Sequence, residues 1–161
     1  MQTYVRIVSG LSRAAGLVSV ALLAAALLIV CQMVAMRYLL RASTVWQTEF
    51  VVYSVVAATF LGSAWVLMEK GHVNVDLLPG ALRPRSRVFL EALSGLFSLI
   101  FCALLAWSGW IHFEEAWSKG WTTATVWALP LWIPLLPLPL GIGLLCLQYV
   151  AELIKLRDEL R

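Results

Sequence analysis

Four long apolar stretches, none with an ionisable residue in its middle, constrain this chain more than any other feature. They run from about Ala14 to Met36, Phe50 to Met68, Ala92 to Ile111 and Val126 to Ala151. A hydrocarbon core about 30 Å thick needs roughly 20 helical residues to cross it. Each stretch is close to that length or beyond it. A lipid-exposed backbone must satisfy its own polar groups, which leaves helices as the spanning form for runs of this length. The expected fold is therefore all-α: an integral membrane protein of four transmembrane helices.

The rest of the chain leaves little room for anything else. It has 161 residues, 61% of them hydrophobic and only 13% charged. Soluble domains carry about 25% charged residues. With four spans removed, no stretch remains that could build an extramembrane core of its own. The formal charge of +3 does not point to nucleic acid. The basic residues sit at span ends, where topology and anionic lipids account for them. Cys31, Cys102 and Cys146 all fall inside apolar stretches without C-x-x-C spacing. They read as small buried hydrophobes. The first stretch is nearly twice the length of a signal-peptide core, so it reads as a retained span.

An even number of spans puts both termini on one side. That side would hold Arg6, Arg13, Lys70, Arg83, Arg85, Arg87, Lys155, Arg157 and Arg161; the other would hold Arg37, Arg41 and Lys119. Cytoplasmic loops carry the excess of basic residues, which predicts both termini in the cytoplasm. Trp46, Trp110, Trp117, Trp121 and Trp127 then gather at the outer boundary, at headgroup level. Between spans two and three, Lys70–Arg87 reads as an interfacial segment, broken at Pro79-Gly80, with valines and leucines interleaved with polar residues.

Within the spans, small residues recur every four positions: Ser54, Ala58 and Gly62 in the second, and Ser94, Ser98, Cys102 and Ala106 in the third. Such spacing lets helix backbones approach closely. The last span carries Pro130, Pro134, Pro137 and Pro139 in its outer half. Proline removes a backbone donor and clashes with the preceding turn. The expectation is a kinked or partly unwound helix entry. A broken helix can mark a transport site, but no midplane polar group accompanies this one.

Few constellations suggest chemistry. His72 and His112 lie outside the span interiors, which argues against intramembrane haem. His112, Glu114 and Glu115 cluster at the end of the third span, but adjacent carboxylates on a helix face different directions and fit a solvated span end. No cofactor, metal or catalytic residue is expected. The charges of most interest are Arg37, Arg41 and Glu49 around the first outer turn. Arg37 and Glu49 could pair across it, or each could simply mark a span boundary with a snorkelling side chain.

Taken together, the first outer turn RYLLRASTVWQTEF, the later FLGSAW and GHVNVDLLP, and a last span opening PLWIPLLPLPLG resemble one family. It is the small, DctQ-like membrane subunit of tripartite ATP-independent periplasmic (TRAP) transporters. The likeness covers nearly the whole chain. It implies a bacterial inner-membrane protein that pairs with a large subunit, in a sodium-dependent importer of C4-dicarboxylates or other organic acids. The large subunit would carry the solute and sodium sites. A periplasmic substrate-binding protein would dock transiently, and the small subunit would act as a fixed scaffold that helps it dock. On this resemblance Arg37, Trp46 and Glu49 match the family's outer turn, and His72, Val75 and Asp76 its inner connection. Pro130, Trp132, Pro134 and Gly141 match its last-span opening. The resemblance gives them structural or partner-contact roles. Two alternatives stay open: the small subunit of another tripartite carboxylate system, and a stand-alone four-helix exporter. Such exporters rely on an acidic residue in the first span, and none lies between Ala14 and Met36. A haem or quinone anchor is disfavoured by the histidine positions.

Overall fold

A computed structural model describes residues 2–69, 84–125 and 127–159. His72, Asp76 and most of the predicted interfacial segment lie outside the described residues. Among those described, the helices are α1 (Gln2–Leu39), α2 (Val45–Met68), α3 (Pro84–Ser118), the short α4 (Trp132–Leu135) and α5 (Pro137–Glu159). Four helical segments are long and apolar enough to cross a bilayer: Thr3–Leu39, Val45–Met68, Ala92–Ser118 and Trp132–Lys155. The expected all-α, four-span architecture is the observed one.

Two helices outrun the apolar stretches that predict them. With 38 residues, α1 is about 57 Å long at 1.5 Å per residue, nearly twice the hydrocarbon thickness. The excess lies at its N-terminal end, where Arg6 and Arg13 end the apolar run but not the helix. Packing holds that extension helical: Val8 and Ser12 are buried, and the Tyr4 hydroxyl donates to the Leu147 carbonyl of α5 at 3.1 Å. The third helix likewise starts at Pro84, well before Ala92. Proline suits a helix start, because the missing N–H there has no intrahelical partner anyway.

The bundle is organised around α5, which packs on α1, α2 and α3. α1 and α2 form a close hairpin, and α3 is held by α4 and α5. Small residues set these approaches. A Cβ on Gly16 of α1 would run into the Trp65 indole of α2, and one on Gly62 would press on Ser19 at 3.2 Å. The tightest approach joins α2 to α5: a Cβ on Gly141 would fall on the backbone of Phe60 and Leu61. Around that seam lies the core of Ala64, Cys102, Ile142 and Leu145. The α2 series predicted from spacing is a real seam, with Ser54, Ala58 and Gly62 all buried. The α3 series is real only in part. Cys102 is buried and Ala106 packs on the core, but Ser94 is exposed.

The proline-rich entry is helical, with one interruption at Leu136, which itself keeps right-handed helical angles (φ −56°, ψ −40°). The Leu136 N–H still reaches the Trp132 carbonyl at 3.0 Å, and Ile133 reaches Pro130 at 3.1 Å. Pro134 lies in the first turn of α4, where no N–H is needed, and Pro137 opens α5, which is where helices tolerate the ring. The helix begins at Trp132 and not at Val126, because the chain before it folds back on itself. There Thr122 and Pro130 form an isolated bridge.

Candidate functional site

The residues singled out from sequence gather at the end of the bundle that carries the α1–α2 turn. α1 closes there by sending the Leu40 and Ala42 N–H groups to one carbonyl, that of Met36, at 3.1 and 3.3 Å. Arg41 makes the reversal with a left-handed backbone (φ 49°), a conformation that costs a non-glycine residue about 1 kcal/mol. Thr44 then stands buried at the start of α2. Its hydroxyl does not cap the helix; it accepts a hydrogen bond of 2.6 Å from Arg37 Nε. Thr48 follows one turn on, its hydroxyl donating to the Thr44 carbonyl at 3.0 Å.

Arg37 therefore does not pair with Glu49. Thr44 takes the guanidinium first, and Glu49 lies about 7 Å further along the α2 axis, at 1.5 Å per residue. Both Glu49 carboxylate oxygens are enclosed and, like Gln47 Oε1, make no well-formed hydrogen bond among the described residues, although the Tyr53 hydroxyl one turn along α2 interacts with Glu49. Buried polar atoms are rarely left so. Arg37, Arg41, Ser43, Thr48, Glu49 and Thr125 line one open cleft of about 710 Å³. It holds two cationic side chains, several hydroxyls and one carboxylate.

The connection between α3 and α4 completes this end. α3 finishes with Gly120 in the left-handed region (φ 59°). The Trp121 N–H bonds the Ala116 carbonyl at 3.2 Å and Gly120 bonds that of Trp117 at 3.3 Å. That is the paired pattern which glycine makes possible at helix ends. Beyond it the loop winds on Thr123. Its N–H donates to the Leu129 carbonyl at 2.9 Å, and its hydroxyl accepts from the Leu129 N–H at 3.0 Å. The Thr125 hydroxyl lies 3.1 Å away.

Aromatic rings tie the parts together. Trp46 meets Trp127 edge-on at 6.5 Å, which joins the first turn to the last connection. Trp132 meets Trp117 at 4.8 Å, which joins α4 to the end of α3. Phe113 extends the row from Trp117 at 6.2 Å to Trp110 at 5.7 Å. The two edge-on tryptophan pairs each add about 0.5–1.5 kcal/mol beyond area burial. Arg37 and Glu49 thus share the cleft, Trp46 braces it, and Pro130, Trp132 and Pro134 form the adjoining helix entry. His72 and Asp76 lie outside the described residues.

Sequence reading passed over the buried amides. Gln148 is fully buried in α5. It accepts from the Ser12 hydroxyl at 2.9 Å and donates to Glu152 at 3.0 Å, which Lys155 meets at 2.7 Å. The signal was present: Gln148 is the one amide in the apolar run from Val126 to Ala151, and a polar residue in such a run faces protein. Gln47, buried one residue past Trp46, was masked by its place in a polar turn.

The arrangement can bind, brace and anchor. Among the described residues no three His, Cys, Asp or Glu side chains gather to hold a metal. At the end of α3 Glu115 pairs with Lys119, which also sits 5.1 Å over the Trp121 ring. Residues 26–159 match the family model described as tripartite ATP-independent periplasmic transporters, DctQ component. No curated protein matches the chain.

Proposed function

The chain belongs to the DctQ component family of tripartite ATP-independent periplasmic transporters, and from that premise we propose that it is the fixed scaffold of a sodium-driven organic-acid importer. A component of such a transporter is a multi-pass inner-membrane protein and not an enzyme. The stand-alone exporter and the other tripartite system both fall with that assignment.

One observation carries the scaffold reading. No Asp, Glu, Lys, Arg or His lies between Arg13 and Arg37, between Glu49 and Glu69, from Ala92 to Ile111 or from Val126 to Ala151. Carriers coupled to ions keep a charged or ion-ligating group at membrane depth. Several polar groups within these helices are spent on the fold: the Ser19 hydroxyl bonds the Ala15 carbonyl at 2.9 Å, Thr59 bonds Val55 at 2.8 Å and Ser63 bonds Phe60 at 2.7 Å. A scaffold needs close packing and firm anchors. The glycine seams and the tryptophan row supply both.

The partners on this reading are the large membrane subunit, in a heterodimer, and a periplasmic solute-binding protein that docks transiently. The transported solutes are C4-dicarboxylates or related carboxylates. Nine basic residues against three favour cytoplasmic termini, which turns the aromatic, cleft-bearing end to the periplasm, toward the binding protein. Arg37, Trp46, Glu49, Pro130, Trp132 and Pro134 then have structural or partner-contact roles at that end, and His72 and Asp76 have them in the connection between α2 and α3.

Extraction of this chain in mild detergent tests the partnership. The large subunit is expected to co-purify in equal amount. Cells lacking this chain are expected to lose sodium-dependent uptake of the solute even though the large subunit remains in the membrane. Undiminished uptake in those cells would remove the scaffold role.

A further inference from the structure

We propose that the cleft at the α1–α2 turn binds the headgroup of a membrane phospholipid that carries both a phosphate and a primary ammonium. The phosphate lies against Arg37 and Arg41, and the ammonium turns toward Glu49. The proposal stands on the cleft and not on the transport reading, so lipid retention and solute uptake can fail separately.

Depth comes first. Glu49 is five residues past Thr44, about 7 Å along α2 at 1.5 Å per residue. The headgroup layer is about 5–7 Å thick on each side of the hydrocarbon core. A cleft built from the turn and the first two turns of α2 spans that layer.

Charge comes next. Arg37 holds Thr44 through Nε, so its two Nη groups form the fork that suits a phosphate. Arg41 lines the same cleft, together with the hydroxyls of Ser43, Thr48 and Thr125. Two arginines alone would suit any anion. The carboxylate makes the difference. Glu49 lines this cleft too; its oxygens are enclosed and make no well-formed hydrogen bond among the described residues, with the Tyr53 hydroxyl one turn along α2 as their neighbouring donor. A buried carboxylate calls for a cation or a donor, and an occupant with a negative and a positive group side by side meets both needs.

The surroundings select a lipid over free phosphate. Tyr38, Leu39 and Leu40 are exposed beside the cleft, Leu39 to 80%, and Val45 is exposed on its rim. Apolar side chains at that position suit acyl chains and glycerol backbone, and a soluble ion gains nothing from them.

Lipid retention by the full chain in detergent, followed by native mass spectrometry, tests this. The probes are dioleoyl phosphatidylethanolamine, phosphatidylcholine and phosphatidylglycerol, with inorganic phosphate as competitor. The ethanolamine lipid is expected to be retained over the choline lipid by roughly tenfold, because choline has no N–H to donate to a carboxylate. Glu49→Gln is isosteric; it should bring that ratio close to one while lipid phosphate still binds. Arg37→Ala with Arg41→Ala should lose all three lipids, and Arg37→Lys with Arg41→Lys should keep a weakened form of the binding. Circular dichroism shows whether each variant remains folded. Several results would overturn the assignment: equal retention of ethanolamine and choline lipids by the unaltered chain, preference for the glycerol lipid, or unchanged selectivity in Glu49→Gln. Displacement by millimolar inorganic phosphate would reveal a free-anion site. Pairing of Glu49 with a cationic side chain of the large subunit would give the carboxylate to a protein partner.

Discussion

The two ends of the helix bundle treat their polar groups in opposite ways. At the end that carries the chain termini, Ser12, Gln148, Glu152 and Lys155 form one chain of hydrogen bonds and an ion pair. At the end that carries the α1–α2 turn, Arg37 is spent on Thr44, while the carboxylate of Glu49 and the carbonyl of Gln47 are enclosed without a well-formed hydrogen bond among the described residues. Among the described residues the first network is closed, and the second leaves enclosed acceptors without well-formed hydrogen bonds. A buried donor or acceptor without a partner costs about 1–3 kcal/mol, so a fold carries one only where another molecule or another state answers it. On the proposed reading, the turn end is the one that meets a partner.

Substitutions can break this comparison or sharpen it. The largest effect is expected where the two ends share a support. Gly141→Ala puts a methyl onto the Phe60 and Leu61 backbone. A backbone cannot turn aside as a side chain can, so α2 and α5 must separate. A loss of about 2 kcal/mol or more is expected, seen as earlier thermal unfolding by tryptophan fluorescence in detergent, with both ends affected together. Next comes Gln148→Ala, which orphans Ser12 and removes a hydrogen bond to Glu152. About 1–3 kcal/mol should be lost, and the tryptophan signals of the far end should stay as they were. Trp132→Leu removes the edge contact with Trp117. It should cost about 1 kcal/mol, read in the same assay. Glu49→Gln keeps an acceptor for the Tyr53 hydroxyl one turn on, so unfolding should move by less than about 0.5 kcal/mol. A large loss there would show that the Glu49 charge has a partner inside the chain and would erase the contrast between the ends. The smallest effect belongs to Lys119→Met at the end of α3. Its partner Glu115 is solvent-accessible, and exposed pairs are worth about 0–1 kcal/mol.

Much of this architecture was legible in the sequence because a bilayer imposes a length and forbids charge. The four spans and the α2 seam at Ser54, Ala58 and Gly62 follow from those rules alone. The limits of the helices did not follow. Arg6 and Arg13 end an apolar run, yet α1 continues through them because Val8, Ser12 and Tyr4 pack on or bond to neighbouring helices. Val126 begins an apolar run, yet the helix waits until Trp132 because Thr123 winds the intervening segment into a loop of its own. Hydropathy measures where a residue can sit, and hydrogen bonding decides what shape the backbone takes there.

The sequence points to the residues at the turn end but not to their contacts. Arg37 and Glu49 line one cleft there, and Trp46 and Trp132 each meet another tryptophan. Their pairing depends on the left-handed turn at Arg41, which brings Thr44 to the guanidinium and leaves Glu49 a turn deeper. Trp46 meets Trp127 across about 80 residues of sequence, a contact that no local pattern announces. Gln148 was readable in principle, and it is the clearest case of a polar residue whose meaning lies in its isolation.

The central claim is that these four helices support transport and do not perform it. The direct measurement is uptake of radiolabelled carboxylate solute, driven by an inward sodium gradient, into liposomes that hold the purified chain alone and the chain with its large subunit and loaded binding protein. Uptake only in the second preparation is the result predicted. Sodium-dependent accumulation by the chain alone would contradict it.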